Sequence, residues 1–453
     1  MGLLKEQLGM IDGAVTLELS GSVREVRGMA ARVTAMPAPV GTQLTISAGR
    51  GRAQPVSAEV IGFDGDEAVV MPLQSLAGVG PGDRVTAGQH QRSVRVGSSL
   101  LGRVLNGMGE PIDGLGPLRD TVPRPLNPRP VDPLDRPLID TPLATGVRAV
   151  DAMATLGRGQ RMGVFAGPGC GKSTLLGMMA RRTEADVSVI ALIGERGREV
   201  RDFIDNVLGP AGLARSVVVC ATGDESALMR VRAASVASSI AEHFRDDGLD
   251  VLLLMDSVTR FCQAQRQIGL AAGEPPATRG YPPSVFSLLP QVLERAGRTQ
   301  KGSITGLYAV LVEGDDMTEP IADACRGVLD GHVHLSRKLA EKGHYPAIDV
   351  LGSISRVMSD VVTKEHEQAA QLIGQLVSAY QEVEDLLNIG AYAAGSNPDY
   401  DLAIAARPMI EQLLRQGRNE GPEHAEMVTI QQQLHAIALS IQQVQQQQPN
   451  QSS

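Results

Sequence analysis

Residues 166–174 read AGPGCGKST, set between the apolar run RMGVFA (161–166) and the helical pattern STLLGMMARR (173–182). A strand, a glycine-rich turn and a helix in that order make a phosphate cradle. Gly167, Gly169 and Gly171 free the backbone to turn its N–H groups inward, with Pro168 and Cys170 between them. Lys172 adds a cation, and the start of the helix adds the positive end of its dipole. Ser173 offers a hydroxyl to Mg²⁺, and Thr174 completes the loop. Ala166 stands where the Walker A pattern has its first glycine. A chance glycine turn would not come with both a strand before it and a helix after it, so nucleoside triphosphate binding is the first inference.

Working outward, DVLLLMD (250–256) is an apolar run closed by Asp256, the arrangement in which an acid holds a Mg²⁺ shell. VSVIALI (187–193) leads into GERGREV (194–200). A core strand that ends in Glu195, Arg196, Arg198 and Glu199 has two readings, a solvated loop or a reaction site at the carboxyl end of a sheet. The phosphate loop favours the second. If strand 187–193 lies near the loop strand, Glu195 faces the terminal phosphate and can activate water, and Arg196 can neutralise phosphoryl charge. Cys170 lies inside the loop, where positive potential favours a thiolate.

Five apolar strands (those three, SVVVCAT and ITGLYAVLVEG) alternate with helical stretches between about 145 and 365, the pattern of a largely parallel sheet with helices on both faces. After 365 the chain reads as helical. Its last helix carries Met427, Ile430, Leu434, Ile437, Ile441 and Val444 at heptad spacing, either a packed face or a docking seam. Residues 14–90 hold short apolar segments and glycine turns, from AVTLEL to EAVVM, the signature of a small β-barrel. Residues 117–142 contain eight prolines and read as an extended strap over the following domain. Leu4, Leu8 and Ile11 mark a short leading helix, and QQQQPNQSS closes the chain as a low-complexity tail.

The 453 residues carry a net charge of −9, which disfavours a general phosphate-backbone surface and hence nucleic acid as partner. The four cysteines, Cys170, Cys220, Cys262 and Cys325, have neither metal-ligand spacing nor a disulfide pattern. MGLLKEQLGMIDG lacks the form of a secretory signal, and no run reaches the length of a membrane span. A cytoplasmic protein is expected.

AGPGCGKST, IALIGERGREVRDFI, LLLMDSVTRF, GYPPSVFSLLPQVLERAG, LVEGDDMTEPIAD, HYPAIDVLGSISRVM and LLGRVLNGMGEPIDG together resemble the rotary-type ATPases of bacterial type III protein export, relatives of the catalytic subunit of F-type ATP synthase. EPPATRGYPPSVF is nearer to the flagellar branch than to the virulence (injectisome) branch. The resemblance implies an α/β fold: a RecA-like P-loop NTPase core (91–365) with an N-terminal β-barrel domain and short leading helix (1–90), a C-terminal helical domain (366–445) and a disordered tail (446–453). It implies ATP as substrate, Mg²⁺ held by Ser173 and Asp256, and nucleotide contacts from residues 167–174. Glu195 matches the catalytic carboxylate, Lys172 and Arg196 the phosphate contacts, Tyr345 the ring that stacks on adenine, and Arg356 an arginine finger that reaches a neighbour's site. Tyr345 also stands on its own chemistry, because aromatic rings stack on bases. The implied assembly is a homohexamer with a stator-like regulator, a coiled-coil stalk protein, an export gate and chaperone–cargo complexes, peripheral to the inner membrane through those partners.

Three other functions are weaker. A non-catalytic ring subunit would lack Glu195. A rotary ATP synthase catalytic subunit would carry an acidic loop where this chain has LLNIGAYAAGSNPDYDLAI. An RNA-translocating helicase would want basic and aromatic residues in its barrel, where Phe63 is the one aromatic between 14 and 90.

Overall fold

The computed structural model describes residues 19–47, 54–88, 93–312, 314, 316–421 and 426–447. The leading helix and most of AVTLEL lie outside the described residues, as does the tail beyond 447. Two compact units make up the chain: residues up to 92 with 225–229 and 264–284, and residues 93–224, 230–263 and 285–453.

Among the described residues the first unit holds six strands, β1 (Ser20–Arg27), β2 (Ala30–Thr34), β3 (Gln43–Ser47), β4 (Val56–Asp64), β5 (Glu67–Pro72) and β6 (Arg84–Ala87), closed in the order β1-β2-β5-β4-β3-β6. Alternate residues face inward: Leu44 and Ile46 of β3, and Val56, Ala58 and Val60 of β4, fill the barrel core. That period of two is what the sequence displays in β3 and β4. β1 and β6 escape such a reading because SGSVREVR and RVTA present few apolar residues. Closure, not hydrophobicity, recruits them.

In the second unit β7 (Ser93–Val96) pairs with β9 (Val122–Pro125), and β10 (Pro142–Leu143) with β11 (Leu156–Gly157). The main sheet contains β8 (Val104–Leu105), β12 (Arg161–Ala166), β13 (Val187–Ile193), β14 (Ser216–Ala221), β15 (Asp250–Asp256), β17 (Ser303–Leu311), β18 (Gly331–Leu335) and β19 (Ile348–Ser355). Its order is β19-β18-β12-β17-β15-β13-β14-β8, with β16 (Gly297–Arg298) added antiparallel to β17. All main ladders are parallel except β18–β19. Every residue of β13 and β14 is buried, as expected of strands covered on both faces.

The proline-rich strap is fastened along its length. Ser239 Oγ donates to the carbonyls of Pro125 and Leu126, Arg295 donates to Leu126 O, and Arg298 donates to Leu138 O. These side-chain donors satisfy strap carbonyls that a proline-rich segment, short of backbone N–H groups, cannot pair within itself.

Past the short helix Met358–Val361, three long helices follow the sheet among the described residues: Lys364–Asn388, Pro398–Leu414 and Met427–Gln447. Thr363 caps the first by accepting from His366 N, and Asn397 caps the second by accepting from Asp399 N and Tyr400 N. Ile430, Leu434 and Ile441 of the last helix share one core with Ile373, Leu402 and Ile410, and Ile437 and Val444 pack against it. The heptad seam is therefore spent on packing within its own unit, which leaves no free seam for docking. The helix also runs to Gln447, two residues past the boundary expected for the tail.

Candidate functional site

β12 ends at Ala166, buried and with an ordinary backbone conformation, so glycine's freedom is not needed there. It is needed at Gly169 (φ +82°) and Gly171 (φ +84°), the left-handed residues of the loop. The helix Lys172–Arg182 starts directly after Gly171, and no side chain caps it. Its first-turn N–H groups are thus open to an anion. Ser173 and Thr174 are exposed at this end, as are Pro168 and Gly169.

Glu195 reaches the loop by a longer route than the sequence implies. β13 is not beside β12: β17 and β15 stand between them. The β13–β15 ladder pairs Leu192 with Asp256, so the turn after β13 stands at the carboxyl end of β15. Gly194 (φ +74°) makes that turn. A Cβ there would come within 2.8 Å of Arg260 Cβ, so a side chain is excluded. The Glu195 carbonyl accepts from Gly223 N at 3.0 Å, which fixes the residue from the β14 side.

Lys172 joins the two acids. Its Nζ contacts Asp256 Oδ1 and lies 3.7 Å from Glu195 Oε1. Asp256 is only 2% exposed. Ser173, Glu195, Glu199 and Asp256 line one cavity of about 110 Å³. Burial first, and then the nearby charge of Asp256, push the Glu195 carboxyl up to about 7, against the pull of Lys172. A hydrogen bond between Glu195 and Glu199 raises the first and lowers the second. The pair holds a proton at neutral pH that a lone surface carboxylate would have lost. Such a group is poised to exchange protons near pH 7.

Mg²⁺ fits this cavity by donor chemistry: Asp256 offers a buried carboxylate and Ser173 a hydroxyl on the same wall. Among the described residues no cluster of three or more His, Cys, Asp or Glu suits a metal, and Mg²⁺ bound with a nucleotide needs none, since phosphates and water complete its shell.

Other candidates sit elsewhere. Arg196 has a side chain 86% exposed and pairs with Glu199 at 3.3 Å, so it faces solvent rather than Lys172. Cys170 is 2% exposed and packs in the core, which shields the thiol expected to be reactive. Arg260 was not singled out from sequence; it lies against Gly194 with its Nε buried and unpartnered. Tyr345 is 48% exposed, with its ring 3.7 Å from where a Gly171 Cβ would stand. It joins Thr174, Leu175, Met178 and Gln416 around a second cavity, of about 300 Å³, beside the loop. Arg356 is remote from all of these. β19 is antiparallel to β18, and Ser355 pairs with Gly331, the first residue of β18. Arg356 is therefore at the amino end of the parallel sheet, opposite the phosphate loop, and its side chain is exposed.

The family profile of the ATP synthase alpha/beta nucleotide-binding domain matches residues 146–355, and that of the type III secretion EscN ATPase C-terminal domain matches residues 362–436. The flagellum-specific ATP synthase of Pseudomonas aeruginosa is 52% identical over 411 residues, covering 90% of this chain and 91% of its own. The type 3 secretion system ATPase of Xanthomonas euvesicatoria is 54% identical over 359 residues, 79% of this chain and 81% of its own. Among solved structures, the assembled ATPase EscN of enteropathogenic E. coli in complex with its central stalk EscO superposes with a TM-score of 0.83 at 42% identity, covering 92% of this chain and all of that one.

Proposed function

The chain belongs to the ATP synthase alpha/beta family, on the branch that serves type III protein export, and we propose from this premise that it hydrolyses ATP to drive export of flagellar rod, hook and filament subunits. It is an ATPase. The observation that carries the reading is the meeting of Lys172, Glu195 and Asp256, from three separate motifs, beside a cavity at the carboxyl edge of the sheet that Ser173 and both acids line. The flagellar branch is favoured because the match to a flagellum-specific relative extends over nine-tenths of both chains.

In this reading the residues divide the work. The backbone of 167–174 and Lys172 hold the phosphates. Ser173 and Asp256 hold Mg²⁺, which supplies charge neutralisation on the phosphate oxygens when bound. Glu195, once deprotonated, accepts the proton of the attacking water. Arg196 reaches the phosphates only after leaving Glu199. Tyr345 stacks on adenine, and Arg356 serves the site of the next subunit. Barrel (1–90), catalytic domain (91–365) and helical domain (366–445) are the proposed divisions of labour, although the last two share one hydrophobic core.

A homo-oligomer follows from a chain that carries both halves of an intersubunit site, with a hexamer as the proposed number, and the assembled state of EscN with its stalk supports both the assembly and a stalk partner. A stator-like regulator, the export gate and chaperone–cargo complexes are the further partners we propose, with no nucleic acid. No helix among the described residues is long and apolar enough to cross a membrane. A cytoplasmic location, peripheral to the inner membrane through partners, is part of the same proposal.

The test is Glu195→Gln in the purified enzyme. Nucleotide binding should persist while hydrolysis falls roughly 10²–10⁴-fold, the cost of losing a positioned acid–base group. Turnover at the wild-type rate would remove Glu195 from the mechanism. Proteins that co-purify from cells separate the two branches: flagellar subunits with their chaperones support this reading, and virulence effectors support the injectisome alternative.

A further inference from the structure

The cavity under Tyr345 has a wall that belongs to neither sequence motif. Residues Gln416 to Arg418 close it from the C-terminal side, and an unusual density of hydrogen bonds holds them. Gln416 is 5% exposed and uses all its donors. Its backbone N–H donates to the carbonyl of Tyr345 at 3.0 Å. Its Nε2 donates to Gly146 O at 2.8 Å and to Glu420 O at 3.0 Å. Its Oε1 accepts from Arg148 N at 2.8 Å. One residue thus ties the segment bearing the base-stacking ring, through its backbone, to the first residues of the matched nucleotide-binding domain, through its side chain.

Arg148 secures the same segment from the other side. Its Nε donates to Leu413 O at 3.2 Å and its Nη2 to Gln412 O at 3.3 Å, two carbonyls at the end of the helix Pro398–Leu414 that have no partner within it. Nη2 also donates to Arg415 O, and Nη1 pairs with Glu420 at 2.5 Å. Arg181 Nη2 donates to Arg418 O at 2.8 Å. Arg415 Nε donates to His344 Nδ1 at 3.3 Å, immediately before Tyr345. Burial and the charge of Arg415 hold His344 below the usual histidine range, in the neutral form able to accept that bond.

We propose that Gln416 and Arg148 are positioning residues that set affinity for the base. They hold the Gln416–Arg418 wall and the Tyr345 backbone at a fixed separation, and they have no part in the phosphoryl step. This rests on the reading of Tyr345 as the base contact. Loosening the wall then weakens an interaction that substrate and transition state share equally, so KM rises and kcat stays.

The experiment compares Gln416→Ala, Arg148→Lys and Tyr345→Ala in the full-length enzyme, measuring kcat and KM for ATP and inhibition by inorganic pyrophosphate, which has phosphates and no base. Gln416→Ala should raise KM roughly tenfold, the effect of a few buried hydrogen bonds. Its kcat and its pyrophosphate inhibition constant should match wild type. Arg148→Lys keeps the charge and loses the fork, so KM should rise roughly fivefold with the same split. An unchanged KM in Gln416→Ala overturns the proposal, as does a loss of ATP and pyrophosphate affinity together, the mark of general damage. If Gln416→Ala does not fold, Arg148→Lys decides, and an unchanged KM there is equally fatal. If Tyr345→Ala itself leaves KM unchanged, the base reading fails. If Tyr345→Ala raises KM and the other two do not, the positioning claim alone fails.

Discussion

The two ends of the proposed nucleotide site are built on opposite plans. The phosphate end is charged and compact, with Lys172 between two carboxylates. Its residues stand directly at or after strand ends. The base end is a larger and mostly apolar cavity, assembled from the loop helix, the segment before β19 and a stretch past the last sheet strand. Phosphate chemistry demands particular atoms at particular places, and short motifs meet that demand. A base demands a flat apolar slot, and many residue types can supply one. The first end is therefore specified by side-chain identity, the second by how distant segments are fastened together.

The largest effect expected from breaking the phosphate end comes from a residue outside it. Arg356→Ala should lose roughly 10³–10⁵ in rate, the range for removal of an arginine finger; Lys172→Ala, the complementary variant inside the phosphate end, should be nearly inactive alone, and both proteins should still assemble. Mixed together, some interfaces unite an intact loop with an intact finger, and activity should partly return. Mixed rings that form and stay inactive would show that Arg356 does not act on a neighbour.

At the base end the expected loss is smaller and of another kind. Tyr345→Ala should raise KM for ATP roughly 5–150-fold, the equivalent of the ~1–3 kcal/mol assigned to stacking one base on an aromatic ring, with little change in kcat. A fall in kcat at constant KM would erase the distinction between the ends.

The smallest effect sharpens the phosphate end alone. Glu195 is pushed up to about 7, so its carboxyl holds a proton below that pH and cannot accept one from water. The pH profile of kcat/KM should fall on the acid side of about 7 and level off above it. Glu199→Gln removes a negative charge that raises Glu195 and offers its carboxylate an N–H donor, so the acid limb should move to lower pH. A limb that stays in place would mean that another group titrates in this region.

The same contrast explains what could be read in advance. Lys172, Ser173 and Asp256 are legible because strand, turn and acid are local patterns. Glu195 is legible as a type, but not its route: the two strands between β13 and β12 come from sheet order, which no local pattern encodes. The solvent-facing pose of Arg196 and the burial of Cys170 also depend on packing. Gln416 and Arg148 left no signal, because a glutamine and an arginine 268 residues apart are unremarkable until the fold joins them. The heptad seam of 427–444 was ambiguous for the complementary reason. Spacing shows that a helix has an apolar face, and only the tertiary structure shows what covers it.

β19 has a mechanical side. Tyr345 precedes it at one end of the sheet, and Arg356 follows it at the other. Its eight residues run along only the five of β18: Ser355, Ile354, Asp349 and Ile348 pair with Gly331, His332, His334 and Leu335, and residues 350–353 bulge out of the ladder. Asp349 holds the bulge, its carboxylate accepting from Leu351 N and Gly352 N and its carbonyl from Ser353 Oγ. A taut rod has no length to give; a tether with a coil stored in it does. The strand that joins ring to guanidinium thus carries its own reserve of length, latched by one aspartate.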